Sequence, residues 1–135
     1  DNELHHLLIM EHLGGSKEYV DRLLAKNAAL AYYWIVVALY MLNPRGAYHL
    51  SQLIEEHACK TYSAFLAENE EQLRAQPAPE IAKQYYMGSD MYLFDAFHTA
   101  VEQQPRRPKV ETLYDVFECI REDEFQHKSS LQQLV

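Results

Sequence analysis

The stretch VETLYDVFECIREDEFQH (110–127) decides the fold class. Its apolar side chains recur at intervals of three and four residues, and Glu124 continues the series: Val110, Leu113, Tyr114, Phe117, Ile120 and Glu124. Such positions share one face of a helix with 3.6 residues per turn, whereas a strand alternates with a period of two. The stretch therefore predicts a helix, which we place at residues 110–133.

Chain-breaking residues divide the rest of the sequence. The 135 residues include only 4 Gly and 5 Pro, and all of these except Gly88 lie near positions 14–16, 43–46, 77–79 and 104–108. Between these breaks we predict helices at 2–12, 17–42, 47–74 and 80–101, the last interrupted at 87–90 with Ser89 or Asp90 as the new cap. With 48% apolar residues, the chain is expected to form one all-α domain over residues 1–135.

The charge balance argues against a nucleic-acid partner. Twenty acidic and twelve basic residues give a formal net charge of -8, and no stripe of Lys and Arg gathers on one segment. The two cysteines, Cys59 and Cys119, are too few for a disulfide framework and indicate a reducing compartment.

An uncharged, aromatic-rich run extends from Ala28 to Leu42. No run of eighteen or more apolar residues occurs, and at ~1.5 Å per residue this one covers roughly 22 Å, less than the ~30 Å core of a bilayer. Its length therefore predicts no spanning helix. From the residues alone, two alternatives stay open: a helix lying in one leaflet, or a buried core helix.

Two segments share the spacing Glu-x-x-His, namely Glu3 to His6 and Glu124 to His127. Residues three apart lie on one side of a helix, so a carboxylate and an imidazole can converge on one ion. This pair, used twice, is typical of ferritin-like bundles that bind two iron or two manganese ions.

The predicted third helix adds Glu55, and Tyr62 returns to the same face seven residues later. A bundle that points Glu3, His6, Glu55, Glu124 and His127 inward would bury costly charges unless a divalent cation met them. Carboxylate oxygens with two imidazoles favour iron or manganese, and the absence of clustered cysteines argues against zinc.

Five stretches resemble the plastid terminal oxidases, a branch of the alternative oxidase family of membrane-bound di-iron quinol oxidases. They are NELHHLLIMEHLGG (2–15), YMLNPRGAYHLSQLIEEHACKTY (40–62), PAPEIAKQYY (77–86), MYLFDAFHT (91–99) and RRPKVETLYDVFECIREDEFQH (106–127). The segment from Met91 to Val110, which the mitochondrial branch is expected to lack, favours the plastid branch.

The resemblance implies an antiparallel four-helix bundle with a di-iron centre and an interfacial membrane helix at 17–42. It implies iron ligands at Glu3, His6, Glu55, Glu124 and His127. It further implies a catalytic Tyr62, a quinol pocket lined by Ala58 and Thr61, and hydrogen bonds from Asn2 and Asp123 that orient the ligands.

The implied reaction oxidises plastoquinol or ubiquinol with O2 in one leaflet of the plastid thylakoid membrane, the mitochondrial inner membrane being the alternative. A homodimer is possible. The family's first ligand glutamate precedes the motif at Glu3, and Glu11 lies on another face. We therefore expect the chain to be N-terminally incomplete and inactive alone. A soluble di-iron protein, storing iron or generating a radical, and a non-catalytic fragment are the competing interpretations.

Overall fold

A computed structural model describes residues 2–15, 17–88 and 108–135 and contains helices only. They are α1 (Asn2–His12), α2 (Tyr19–Leu42), α3 (Pro44–Arg74), α4 (Glu80–Lys83), which continues into a π-helical turn (Gln84–Gly88), and α5 (Leu113–Gln132). The all-α prediction is confirmed for the described residues, and the predicted helix bounds agree with α1, α2, α3 and α5 to within three residues.

Local sequence explains where α3 and α5 begin. Asn43 caps α3 because its side-chain oxygen accepts a hydrogen bond from Gly46 N at 3.1 Å, and Pro44 occupies the first turn, where its missing N–H costs nothing. α5 begins with a capping box in which Thr112 Oγ1 accepts from Asp115 N and the Asp115 carboxylate accepts from Thr112 N at 2.8 Å.

Helices α3 and α5 form the main interface and run antiparallel. The end of α3 meets the start of α5, where the Arg74 guanidinium lies 3.7 Å from the centre of the Tyr114 ring. Near the other end of the interface, Lys128 of α5 lies 3.9 Å from Glu56 of α3. This pairing places the middle of α3 opposite the C-terminal half of α5.

The junctions of these two helices are tied by backbone hydrogen bonds. Ala78 N donates to Glu111 O and Leu113 N donates to Gln76 O, both at 2.9 Å. The segment that follows, 79–88, is thereby held beside the start of α5, and it packs on α1.

The predicted fourth helix differs from the structure. Instead of one α-helix from residue 80, four α-helical residues lead into the π-helical turn, so that both Tyr85 and Tyr86 are buried. The rest of that prediction falls on residues 89–107, which are not among the described residues. It comprises the cap at Ser89 or Asp90 and the segment from Met91 onward.

The core lies between α3, α5, α1 and the π-helical turn. Its fully buried side chains include Ile9 of α1, Leu66 of α3, Tyr86 of the turn, and Val116 and Ile120 of α5. Ile120 belongs to the apolar face that the 110–127 pattern predicts, and its burial confirms that this face points inward.

Helix α2 has no buried residue, so the core-helix alternative for this segment is wrong within the described chain. The length argument against spanning is also wrong. The helix continues through Lys26 and Asn27, reaches 24 residues or about 36 Å, and is long and apolar enough to cross a membrane by length and composition. The length argument considered only the uncharged run 28–42 and left out the rest of the helix predicted at 17–42.

Candidate metal centre

Three helices position the five predicted ligands. α1 carries Glu3 and His6, α3 carries Glu55, and α5 carries Glu124 and His127. Because α3 and α5 are antiparallel, Glu55 faces Glu124 across their interface, and α1 adds its pair from the side. The structure brings all five side chains into one cluster.

Glu3, Glu124 and His127 form the tightest part of this cluster. Each offers one ligand atom, and these atoms all lie within 4.8 Å of one another. His127 Nδ1 is 3.0 Å from Glu3 Oε1 and 3.8 Å from Glu124 Oε2. Donor atoms at these separations can share a cation placed between them.

His6 approaches the same carboxylates through its Nδ1 atom. That atom lies 3.3 Å from Glu124 Oε1 and 3.9 Å from Glu3 Oε1. Burial of the ring acts to lower the pKa of His6, but the carboxylates of Asp123 and Glu124 outweigh it and raise the pKa to about 9. Without a cation, His6 is therefore protonated at neutral pH.

The carboxyl groups of Glu55 and Glu124 are hydrogen-bonded to each other, and their pKa values shift in opposite directions. Burial, together with the hydrogen bond to Glu124 and the charge on that residue, raises the pKa of Glu55 to about 9. Burial acts against ionisation of Glu124 too, yet its hydrogen bonds to His6 and Glu55 lower its pKa. Both shifts follow from the close approach of several acidic groups, an arrangement that a divalent cation would stabilise.

The ligands differ in burial. His6, Glu124 and His127 are buried and Glu55 is half-buried, but the Glu3 side chain is 65% exposed. The Glu3 carboxylate reaches the cluster, 3.0 Å from His127 Nδ1, and the rest of the side chain stays open to solvent. The cluster opens to solvent at Glu3.

Asp123 connects the cluster to its surroundings and is fully buried. Its Oδ2 atom accepts hydrogen bonds from Tyr86 OH at 2.9 Å and from Asn2 Nδ2 at 3.3 Å, and it lies 3.1 Å from His6 Nε2. Asn2 and Asp123, predicted to orient the ligands, thus lie directly behind His6. Such partners fix the orientation of a ligating imidazole.

Two residues of this network were not singled out from the sequence. Tyr86 contacts Asp123 and His6, and Tyr85 accepts a hydrogen bond from Asn2 Nδ2 at 2.8 Å while its ring stacks on His5 at 4.0 Å. The sequence offers only the adjacent pair Tyr85 and Tyr86 shortly before Gly88. This pattern does not predict where either ring points.

The predicted catalytic and quinol-binding residues lie on α3 beyond Glu55. Tyr62 is half-buried, its ring lies 6.3 Å from that of Phe117, and burial with the charges of Glu124 and Glu3 raises its pKa to about 12. Ala58 is half-buried, whereas Thr61 is exposed and donates its hydroxyl to His57 O at 2.9 Å.

The donor set fits a pair of divalent ions. Three carboxylates and two imidazoles converge, oxygen donors predominate, and the acidic groups can be buried together only with bound protons or cations. Oxygen and nitrogen ligands in this ratio suit iron or manganese. An antiparallel helical scaffold with two Glu-x-x-His pairs and a single glutamate resembles the two-metal carboxylate bundles, whose ligand set has one more glutamate on a further helix.

Comparison with known proteins specifies the family within this class. The alternative oxidase family model matches residues 1–135. The chain belongs to the alternative oxidase family, which confirms the predicted resemblance.

Relatives from both branches align with nearly the whole chain. Ubiquinol oxidase 4, chloroplastic/chromoplastic, of Arabidopsis thaliana is 51% identical over 131 residues, which cover 97% of the chain and 37% of that protein. Mitochondrial ubiquinol oxidases of Mangifera indica and Glycine max are each 30% identical over 129 residues, covering 95% of the chain and 34% and 33% of those proteins. The chain spans about a third of the length of these relatives. No solved structure is significantly similar.

Proposed function

We propose that the full-length protein is a quinol oxidase that converts two molecules of plastoquinol or ubiquinol to quinone while reducing O2 to two molecules of water. The convergence of Glu3, His6, Glu55, Glu124 and His127 carries this proposal. The names of the relatives, ubiquinol oxidases, support the choice of substrate.

The five side chains would hold two iron ions, with the carboxylates of Glu55 and Glu124 between α3 and α5. Bound there, the iron pair supplies the redox chemistry for the reduction of O2. A glutamate on a further helix, expected in bundles of this class, would complete the ligand set. The chain's contribution is to hold the donor atoms in place and to exchange their protons for the metal charge.

Tyr62 would act next to this centre. Its raised pKa keeps the phenol protonated at physiological pH, so it holds a proton that can leave together with an electron. We propose that Tyr62 would give both toward the reduction of O2 and would be restored by quinol. Two quinols supply the four electrons and four protons that two waters require.

Quinol would approach along α3, at Ala58 and Thr61. These residues lie about one and two turns beyond Glu55, toward Tyr62. Because the Thr61 hydroxyl donates to His57 O, its oxygen remains available to accept a hydrogen bond from the hydroxyl of a quinol headgroup.

We place the protein at a membrane through α2. The helix exposes large apolar and aromatic side chains, among them Tyr33, Trp34 and Ile35. An amphipathic or aromatic-rich helix of this kind can lie in one leaflet, and α2 would do so at the plastid thylakoid membrane, in keeping with the higher identity to the chloroplastic relative. Pairing into a homodimer stays a prediction.

The experiment that tests the proposal replaces Tyr62 by Phe in the full-length protein. We expect folding and iron content to be retained and quinol-dependent O2 uptake to fall at least ~10-fold, as for the loss of a proton-transfer group. Tyr114→Phe, whose ring lies over Arg74, is the matched control and should keep its uptake.

The results for Tyr62→Phe and for the wild-type protein distinguish the proposed function from its alternatives. Normal uptake by Tyr62→Phe would contradict the role of Tyr62. A wild-type protein that binds iron but is soluble without detergent and inactive with quinol would favour a soluble di-iron protein. A wild-type protein without iron would favour a non-catalytic module.

A further inference from the structure

Tyr86 has no role in the reaction proposed above. Its side chain is fully buried in the π-helical turn, its hydroxyl donates to Asp123 Oδ2 at 2.9 Å, and the same hydroxyl lies 3.4 Å from His6 Nε2. A buried phenol thus touches both a predicted ligand and the carboxylate behind it.

Two consecutive tyrosines of the π-helical turn reach this region. In the wider turn both rings are buried, and each hydroxyl reaches a different residue, Tyr85 contacting Asn2 and Tyr86 contacting Asp123. Single π-helical turns inside helices are frequent at functional sites.

The contact with Asp123 gives the two ring nitrogens of His6 different partners. A carboxylate only accepts hydrogen bonds, so the proton in the Asp123–His6 contact belongs to Nε2. Nδ1 is then the atom directed at Glu124 and Glu3. Any group that holds Asp123 Oδ2 in place therefore decides which nitrogen faces the metal centre.

We propose that the hydroxyl of Tyr86 is a positioning group for His6: by anchoring Asp123 Oδ2 against His6 Nε2 it commits Nδ1 to the metal. Without the hydroxyl, the carboxylate keeps its contacts to Asn2 and His6 but loses its shortest hydrogen bond among the three. The carboxylate can then rotate, and the imidazole loses its fixed orientation. The inference rests on the proposed metal centre, and its test separates the two.

The test measures metal binding rather than turnover. Full-length wild type and Tyr86→Phe, both stripped of metal, are titrated with Co²⁺, and affinity and visible absorption spectrum are recorded. Loss of a residue that orients a ligating histidine typically costs about 10- to 100-fold in affinity. We expect a loss in this range for Tyr86→Phe, with a changed spectrum, and no loss for the control Tyr114→Phe.

A double-mutant cycle distinguishes positioning from a general loss of packing. If Tyr86 acts through Asp123, the hydroxyl should matter little once Asp123→Asn has been introduced, so the two effects should not add. Full additivity would overturn the proposal, as would Co²⁺ affinity of Tyr86→Phe within about threefold of wild type.

Two further outcomes remain distinct. Should wild type itself bind no Co²⁺, the proposed metal centre fails first. Should Tyr86→Phe not fold, 3-fluorotyrosine at position 86 keeps the ring and hydroxyl while strengthening the donor, and we expect a shifted Co²⁺ spectrum; an unchanged spectrum overturns the proposal.

Discussion

Replacement of Asp123 by Ala should destabilise the metal-free protein more than any single substitution at the exposed faces of the helices. Asp123 is fully buried and joins α5 to α1 and to the π-helical turn through one oxygen atom. Removing that oxygen takes the acceptor from Asn2, Tyr86 and His6 at once. None of these side chains can turn to solvent without opening the packing around it.

The structure sets the size of the effect. A buried donor that loses its acceptor costs about 1–3 kcal/mol, and three donors are involved. Removal of a buried carboxylate also relieves its own desolvation, which offsets part of this cost. We therefore expect Asp123→Ala to lower the free energy of unfolding by about 3–5 kcal/mol, the range for breaking a buried ionic contact on one side.

Asp123→Asn provides the matched comparison, because the amide keeps one oxygen acceptor of nearly the same shape. It should cost about 1–2 kcal/mol, the difference between a charged and a neutral hydrogen bond. Urea titration of the full-length protein in the presence of a chelator measures both values. A loss below about 1 kcal/mol for the Ala variant, or equal losses for the two variants, would refute this account of the network.

Three further predictions concern the core, a helix cap and a thiol. Ile120→Ala should cost about 2–5 kcal/mol in the same urea titration, because the side chain is 0% exposed; a loss typical of surface positions would contradict the core assignment. Thr112→Ala should cost about 1 kcal/mol by removing the acceptor for Asp115 N, and Thr112→Ser should restore it; equal losses for the two variants would exclude the cap as the cause. Burial, with the charge of Glu124, raises the pKa of Cys59 to about 11, so little thiolate forms below that pH. Alkylation of Cys59 by iodoacetamide at pH 8 should be on the order of 100-fold slower than that of an unshielded thiol and should accelerate as the pH rises toward 11; a rate equal to that of a cysteine peptide would contradict the shift.

The helices were predictable because their signals are local. The 3.6-residue period of 110–127 depends only on neighbours within the segment, and so do the caps at Asn43 and Thr112. Gly14, with a φ of 98°, follows α1 in the left-handed conformation that glycine tolerates best. Helix α1 accordingly ends at the predicted residue.

Much of the candidate centre was predictable for the same reason. Glu-x-x-His fixes the relation of Glu3 to His6 and of Glu124 to His127 within one helix each. The meeting of these pairs with Glu55 depends on the antiparallel packing of α3 and α5, which the sequence predicts only through the resemblance. The exposure of Glu3 depends on which helices cover α1, and no local pattern encodes it.

The π-helical turn and its tyrosines could not be predicted. Such turns are rare, and the contacts that Tyr85 and Tyr86 make here are with Asn2 and Asp123, which lie in distant parts of the chain. α2 shows a different limit. Its bounds were predicted correctly, but its ability to span a membrane was judged from the uncharged run 28–42 alone, which leaves out residues 19–27 of the helix.

X-ray absorption spectroscopy at the iron edge of the full-length, iron-loaded protein tests the central claim most directly. We expect two iron atoms per chain, oxygen and nitrogen ligands only, and a second iron within about 4 Å, the separation of paired metals in such sites. Both the iron content and the iron–iron signal should disappear in Glu124→Ala. A single iron, sulfur ligation, or an iron pair that survives in Glu124→Ala would contradict the assignment of the cluster as a two-iron centre.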